Sequence, residues 1–145
     1  MKPIVPCIIL QDGLGKRFHS QYGDMITGGN SLKRIEMRIV IICSVRAGTP
    51  NEVYGYVGDL EARGHQVYLP PRDTPQDDPT GLNICLRMCQ QIRIADEVHI
   101  FYNKGSQGVH FDMGCAFAMG KKWKLVNSPL DNNGKSYIKV IKEIQ

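Results

Sequence analysis

A chain of 145 residues, 42% hydrophobic and 22% charged, has room for one ordinary domain with its own core, which excludes a polypeptide disordered throughout. The net charge of +4 is spread along the sequence, with Lys121-Lys122-Trp123-Lys124 the longest basic cluster. Without a basic stripe to follow a polynucleotide backbone, a small anionic ligand fits better than nucleic acid, and no apolar run is long enough to span a membrane.

Five cysteines is an odd number, and Cys43, Cys85 and Cys115 fall inside apolar periodic segments. That usage suits reduced, buried thiols and a cytoplasmic setting rather than a disulfide framework. Ile4 to Leu10 has only Lys2 before it and no small-residue cleavage site after it, so a signal peptide is not expected. The sequence divides near Met37. Residues 1 to 36 are expected to form an irregular or peripheral extension, and 37 to 145 the functional domain.

Arg38 to Cys43 is a β-branched apolar run, as in a strand buried on both faces of a parallel sheet. Thr49-Pro50-Asn51-Glu52 then has the form of a capping box with proline at the first helical position, and Val53, Tyr56, Val57 and Leu60 follow at helical spacing up to Gly64. Gln66 to Leu69 reads as a second strand closed by Pro70-Pro71, and Arg72 to Thr80 as a loop. Leu82, Cys85, Met88, Cys89 and Ile92 mark one face of a second helix, and Glu97 to Tyr102 a third strand. After the glycine-rich loop Gly105 to Gly108 comes a helix with Val109, Met113, Ala116 and Phe117 on one face, ending near Gly120. Trp123 to Val126 is a fourth strand, and a closing helix from Ser136 carries Tyr137, Ile138, Ile141 and Ile144.

The alternation predicts an α/β fold with a doubly wound, mostly parallel open sheet of four to five strands, a Rossmann-like or flavodoxin-like three-layer sandwich. Right-handed crossovers give the strand order 2-1-3-4, with the winding reversing between strands one and three. Ligands of such sheets bind outside that switch point, so the expected site lies in the loops after Cys43 and Tyr102. In the first loop, Ser44 offers a hydroxyl, Arg46 a bidentate grip on phosphate, and Gly48 close backbone approach before a helix N-terminus. In the second, Ser106 and the glycines, Gly108 included, offer similar donors. Asp112 is expected in or near the first turn of the next helix, where the dipole would keep it ionised, as suits a nucleophile. His110 could touch a base or sugar. Blander explanations exist for each: a turn for the first loop, helix capping for Asp112, an exposed helix-start histidine for His110. Cys85 and Cys89, one turn apart, could in principle hold a metal with His99 or His110, yet core packing explains them better, and no metal is expected.

Three segments carry a resemblance: Ile42-Cys43-Ser44-Val45-Arg46-Ala47-Gly48, Ala95-Asp96-Glu97-Val98, and Ser106-Gln107-Gly108-Val109-His110-Phe111-Asp112-Met113-Gly114-Cys115-Ala116. Together they resemble the nucleoside 2-deoxyribosyltransferase-like superfamily, with the 2'-deoxynucleoside 5'-phosphate N-hydrolases the most similar branch. The resemblance covers Met37 to about Val126. It implies cleavage of the N-glycosidic bond of a deoxynucleoside 5'-monophosphate, by hydrolysis or deoxyribosyl transfer, through attack of a carboxylate at the position of Asp112. It also implies that Ser44, Arg46, Gly48 and Ser106 hold the 5'-phosphate, that no cofactor is needed, and that the protein is a homodimer with sites near the interface. The chain departs from the family in three places. Asp112 stands for the usual glutamate, the position of a base-handling aspartate falls on Met88, and the first-strand tyrosine is missing, its place falling near Val40. Glycosyl transfer pairs a nucleophile with a group that protonates the leaving base, and Asp73, Asp77, Asp78 and His110 are the candidates. A non-catalytic nucleotide-binding module that lost the second acid is the alternative expectation. Ile8 to Phe18 is similar to the opening of sugar-phosphate nucleotidyltransferases, with Asp12 in place of a small residue, but the match is short and isolated.

Overall fold

The structure is a computed structural model that describes residues 36 to 145 except 132. The expected N-terminal extension, apart from Glu36, and the Ile8 to Phe18 segment lie outside the described residues. Within them the order is β1 (Arg38–Ile42), α1 (Asn51–Ala62), β2 (Gln66–Tyr68), α2 (Pro70–Asp73), α3 (Leu82–Ile94), β3 (Glu97–Ile100), α4 (Gln107–Ala118), β4 (Lys122–Leu125) and α5 (Tyr137–Ile144).

The strands form one sheet in the order β2-β1-β3-β4, all parallel, as the crossover rule predicts. Its register pairs Ile39 with Glu97 and Ile42 with Ile100 on one side of β1, and Arg38 with Gln66 on the other. Side chains alternate between two cores. Val40, Ile42, Val98, Ile100 and Tyr102 pack with Met88 and Ile92 of α3, Val109, Met113 and Ala116 of α4, and Ile138 and Ile141 of α5. Ile39, Ile41, Cys43 and Phe101 pack with Val53, Val57 and Leu60 of α1. The result is three layers, α1 on one face of the sheet and α3, α4 and α5 on the other.

Several local expectations are corrected. Pro50 is the N-cap of α1 rather than its first residue, and no side chain caps that helix. The Thr49 hydroxyl donates instead to the Ser44 carbonyl at 3.0 Å. Pro70-Pro71 does not merely close β2. It opens the one-turn helix α2, because proline suits a first turn where no N–H is needed, and the Asp73 carboxylate accepts from the Leu69 N–H at 2.8 Å. On α3, Leu82 is 60% exposed, so the buried face is Met88 and Ile92, with Cys85 and Cys89 at its part-buried edge. Phe117 of α4 and Tyr137 and Ile144 of α5 also turn outward. No helix among the described residues is long and apolar enough to cross a membrane.

Candidate active site at the switch point

The loop after β1 is a tight turn in which the Gly48 N–H donates to the Val45 carbonyl at 3.1 Å. Gly48 has φ +90°, a conformation that side-chain-bearing residues rarely adopt, although a Cβ there would meet open space. Ser44 is buried at the root of the turn, whereas Arg46 is exposed and reaches toward the start of α3. One of its guanidinium nitrogens lies 3.6 Å from where a Cβ on Gly81 would stand.

In the loop after β3, Ser106 is the N-cap of α4, its hydroxyl oxygen accepting from the Val109 N–H at 3.3 Å. Gly108 is exposed in the first turn, with no positive φ. His110 is held by both ring nitrogens. Its Nδ1 faces the Ser106 carbonyl at 2.7 Å, which requires the proton there, so in the neutral ring Nε2 accepts from the Tyr102 hydroxyl at 3.3 Å. The imidazole also contacts the rings of Tyr102 and Tyr137, at centroid distances of 5.5 and 5.2 Å.

Asp112 lies in the second turn of α4, not the first, and no acid occupies that first turn. Beyond the reach of the terminal N–H groups, its part-buried carboxyl is governed by desolvation, which pushes its pKa up to about 7. The expectation that the helix dipole keeps it ionised is therefore reversed. Four thiols surround this stretch of the fold, all free. Burial, and after it the Asp112 charge, pushes the Cys43 thiol up to about 12. The same two influences raise Cys85, with the Arg46 charge acting in the opposite sense. Cys115 is raised to about 12 by burial first, then by its contact with Cys89, whose Sγ is 3.2 Å away. Arg46 and Asp112 thus converge on Cys85 at the start of α3.

Two of the four candidates for a second acid, Asp73 and Asp78, are committed elsewhere. Burial, which raises Asp73, is outweighed by Arg72 and the Leu69 N–H, and its carboxyl sits below the usual range. Asp78 is likewise held low, by backbone N–H groups that include Asn83 at 2.7 Å, where it caps α3. Met88 is buried in the core, 2% exposed, with no polar function. His99 lies on the α1 face against Tyr56, away from Cys85 and Cys89, and no metal-holding cluster occurs among the described residues.

Beside this group a cleft of about 380 Å³ opens at the carboxyl ends of β1, β3 and β4, lined by residues that include Ser44, Glu52, Tyr102, Asn103, Lys104 and Leu130. Ser44 is the one predicted site residue on its lining. Arg46, Gly48, Ser106, Gly108, His110 and Asp112 are not part of it. Lys104 was not singled out from the sequence, although its place next to the glycine-rich loop is a signal that could have found it. Asn127 has no such signal, because its part depends on tertiary pairing: its amide accepts from the Tyr102 N–H and donates to the Tyr102 carbonyl, both at 2.8 Å.

A parallel sheet of this order, with loops converging at its switch point, defines a Rossmann-like three-layer α/β protein. Among solved structures the fold is similar to that of the CMP N-glycosidase BcmB of Clostridium botulinum, with a TM-score of 0.51 and 21% identity over 74% of this chain and 81% of that one. No family description matches the chain, and no curated protein does.

Proposed function

We propose that this chain is an N-glycosidase acting on nucleoside 5'-monophosphates, with Asp112 as nucleophile. One observation carries the reading: a part-buried carboxylate, free of any ion pair among the described residues and tuned to about 7, beside the switch-point loops. The fold likeness to a CMP N-glycosidase and the resemblance of the Ser106 to Ala116 segment support it.

In this reading the ionised Asp112 attacks the anomeric carbon as the C–N bond to the base breaks, forming a glycosyl ester. The departing base takes a proton from solvent, and water then attacks the anomeric carbon, returning a proton to solvent, restoring the Asp112 carboxylate and releasing the sugar phosphate. Passing the glycosyl group to a second base would make the protein a transferase. Ser44, Arg46, Gly48, Ser106 and the first-turn N–H of Gly108 bind the phosphate, and His110 supports the sugar end through Tyr102. The resemblance favours 2'-deoxynucleotides, while the structural neighbour acts on CMP. A homodimer fits the exposure of Leu82 and Leu86, one turn apart on α3, and of Phe111 on α4, each more than half exposed.

The second reading, a nucleotide-binding module without turnover, rests on the absence of a carboxylate at Met88 and on the commitment of Asp73 and Asp78 elsewhere. Incubating the protein and Asp112→Asn with a panel of deoxynucleotides and ribonucleotides, CMP included, and separating free base by chromatography distinguishes the two. Base released by the unmodified protein and lost in the variant is expected; no base from the whole panel, with nucleotide still bound, would establish the module. A second free base added to the same reactions separates transfer from hydrolysis.

A further inference from the structure

The cleft beside the first loop has a composition of its own. On its lining Ser44 is 4% exposed as a residue, and among the described residues its hydroxyl has no hydrogen-bond partner, since the one bond at Ser44 is made by its carbonyl. Trp123 Nε1 is the one fully buried side-chain polar atom without a partner among the described residues, so the Ser44 oxygen keeps access to the cleft and is free to pair with an occupant there. The start of α1 borders the same cleft through Pro50 and Glu52, and it lacks a side-chain cap, so its first N–H groups remain available. Lys104, exposed on the lining, makes no ion pair or hydrogen bond among the described residues. Asn127 is already committed to Tyr102. A free ammonium, an unanswered hydroxyl and an uncapped helix start together select an anion with several acceptor oxygens. The Glu52 carboxylate, the single acid on this lining, repels a second anionic group and can instead accept from a sugar hydroxyl.

We propose that Lys104, acting with the Ser44 hydroxyl, grips the 5'-phosphate of the nucleotide and sets the preference for nucleotides over nucleosides. The inference rests on the nucleotide-site reading above but not on turnover. Arg46, turned toward Gly81 and Cys85, provides a second positive charge from the Asp112 side. Lys104 is then a specificity-determining residue on a cleft large enough for the phosphate end of a nucleotide.

The test is calorimetric. Binding of a nucleoside 5'-monophosphate, its nucleoside and inorganic phosphate is compared between the unmodified protein, Lys104→Ala and Lys104→Arg. Losing a charge-assisted contact is expected to weaken nucleotide binding about tenfold or more, and to narrow the nucleotide-to-nucleoside ratio by the same factor. Lys104→Arg should keep most of that ratio, and raised salt should reduce it in the unmodified protein. An unchanged ratio in Lys104→Ala would overturn the proposal, as would equal weakening for nucleotide and nucleoside, or no nucleotide binding by the unmodified protein. Failure of base release alone would sink the glycosidase and leave this binding comparison to decide the role of Lys104.

Discussion

Asp112 and His99 are both withdrawn from water, and each reports that burial through the pH dependence of a different property. The Asp112 carboxyl titrates near 7 in the fold against an ordinary value of 3.8. Its contribution to stability is full below the ordinary value and is lost as pH rises through about 7. Asp112→Asn should therefore be more stable than the unmodified protein at pH 8, by on the order of 4 kcal/mol, and no more stable at pH 4, as read by urea denaturation. In the proposed reaction the same ionisation supplies the nucleophile, so base release by the unmodified protein is expected to climb as pH passes through 7. His99 behaves oppositely. Burial, reinforced by Lys124 and His65 against the pull of Glu97, holds its pKa below the ordinary 6.5. Its contribution is present above that value and lost as pH falls, and an NMR titration should find the ring neutral at pH 6.5. Trp123 is 4% exposed with its Nε1–H unpartnered, so Trp123→Phe removes an unsatisfied donor along with some apolar area. A small net change, within about 1 kcal/mol in denaturant midpoint, is the expected outcome.

At the scale of elements, the turns and caps decide which loops can carry a site. Gly48→Ala should strain the first loop, costing about 1 kcal/mol and weakening nucleotide binding, because its φ of +90° disfavours any side chain although the space is open. Ser136 caps α5, accepting from the Lys139 N–H at 3.3 Å, and Ser136→Ala should cost about 1 kcal/mol in thermal or urea unfolding. These features were legible as local chemistry. The polar loop before α3 was legible in kind, yet its first turn folds as α2 and Asp78 reaches forward to cap α3. A proline pair reads equally as a stop or as a helix start, and only the Asp73 contact with the Leu69 N–H separates them. The Thr49 to Glu52 pattern misled because α1 starts one residue later than it implies, with Pro50 as N-cap, and the Thr49 hydroxyl turns instead to the Ser44 carbonyl.

Across the whole molecule, the central strand governs stability. Ile41 is fully buried, and Ile41→Ala should cost about 2 to 5 kcal/mol, a large share of what holds a domain of this size together. The fold, its strand order and the loops that meet at the switch point follow from sequence, because apolar runs of strand length, helical spacing and right-handed crossover are local or topological constraints that leave few arrangements open. Protonation and pairing do not follow. Whether Asp112 is ionised depends on how α3, α4 and the end of β1 together exclude water from it, and whether Ser44 has a partner depends on which neighbours the folded chain leaves around it. Sequence spacing placed Ser44 on the loop after β1 and Asp112 on the helix after the glycine-rich loop; desolvation and contact, properties of the packed molecule, govern the carboxyl's charge and leave the Ser44 hydroxyl open to the cleft.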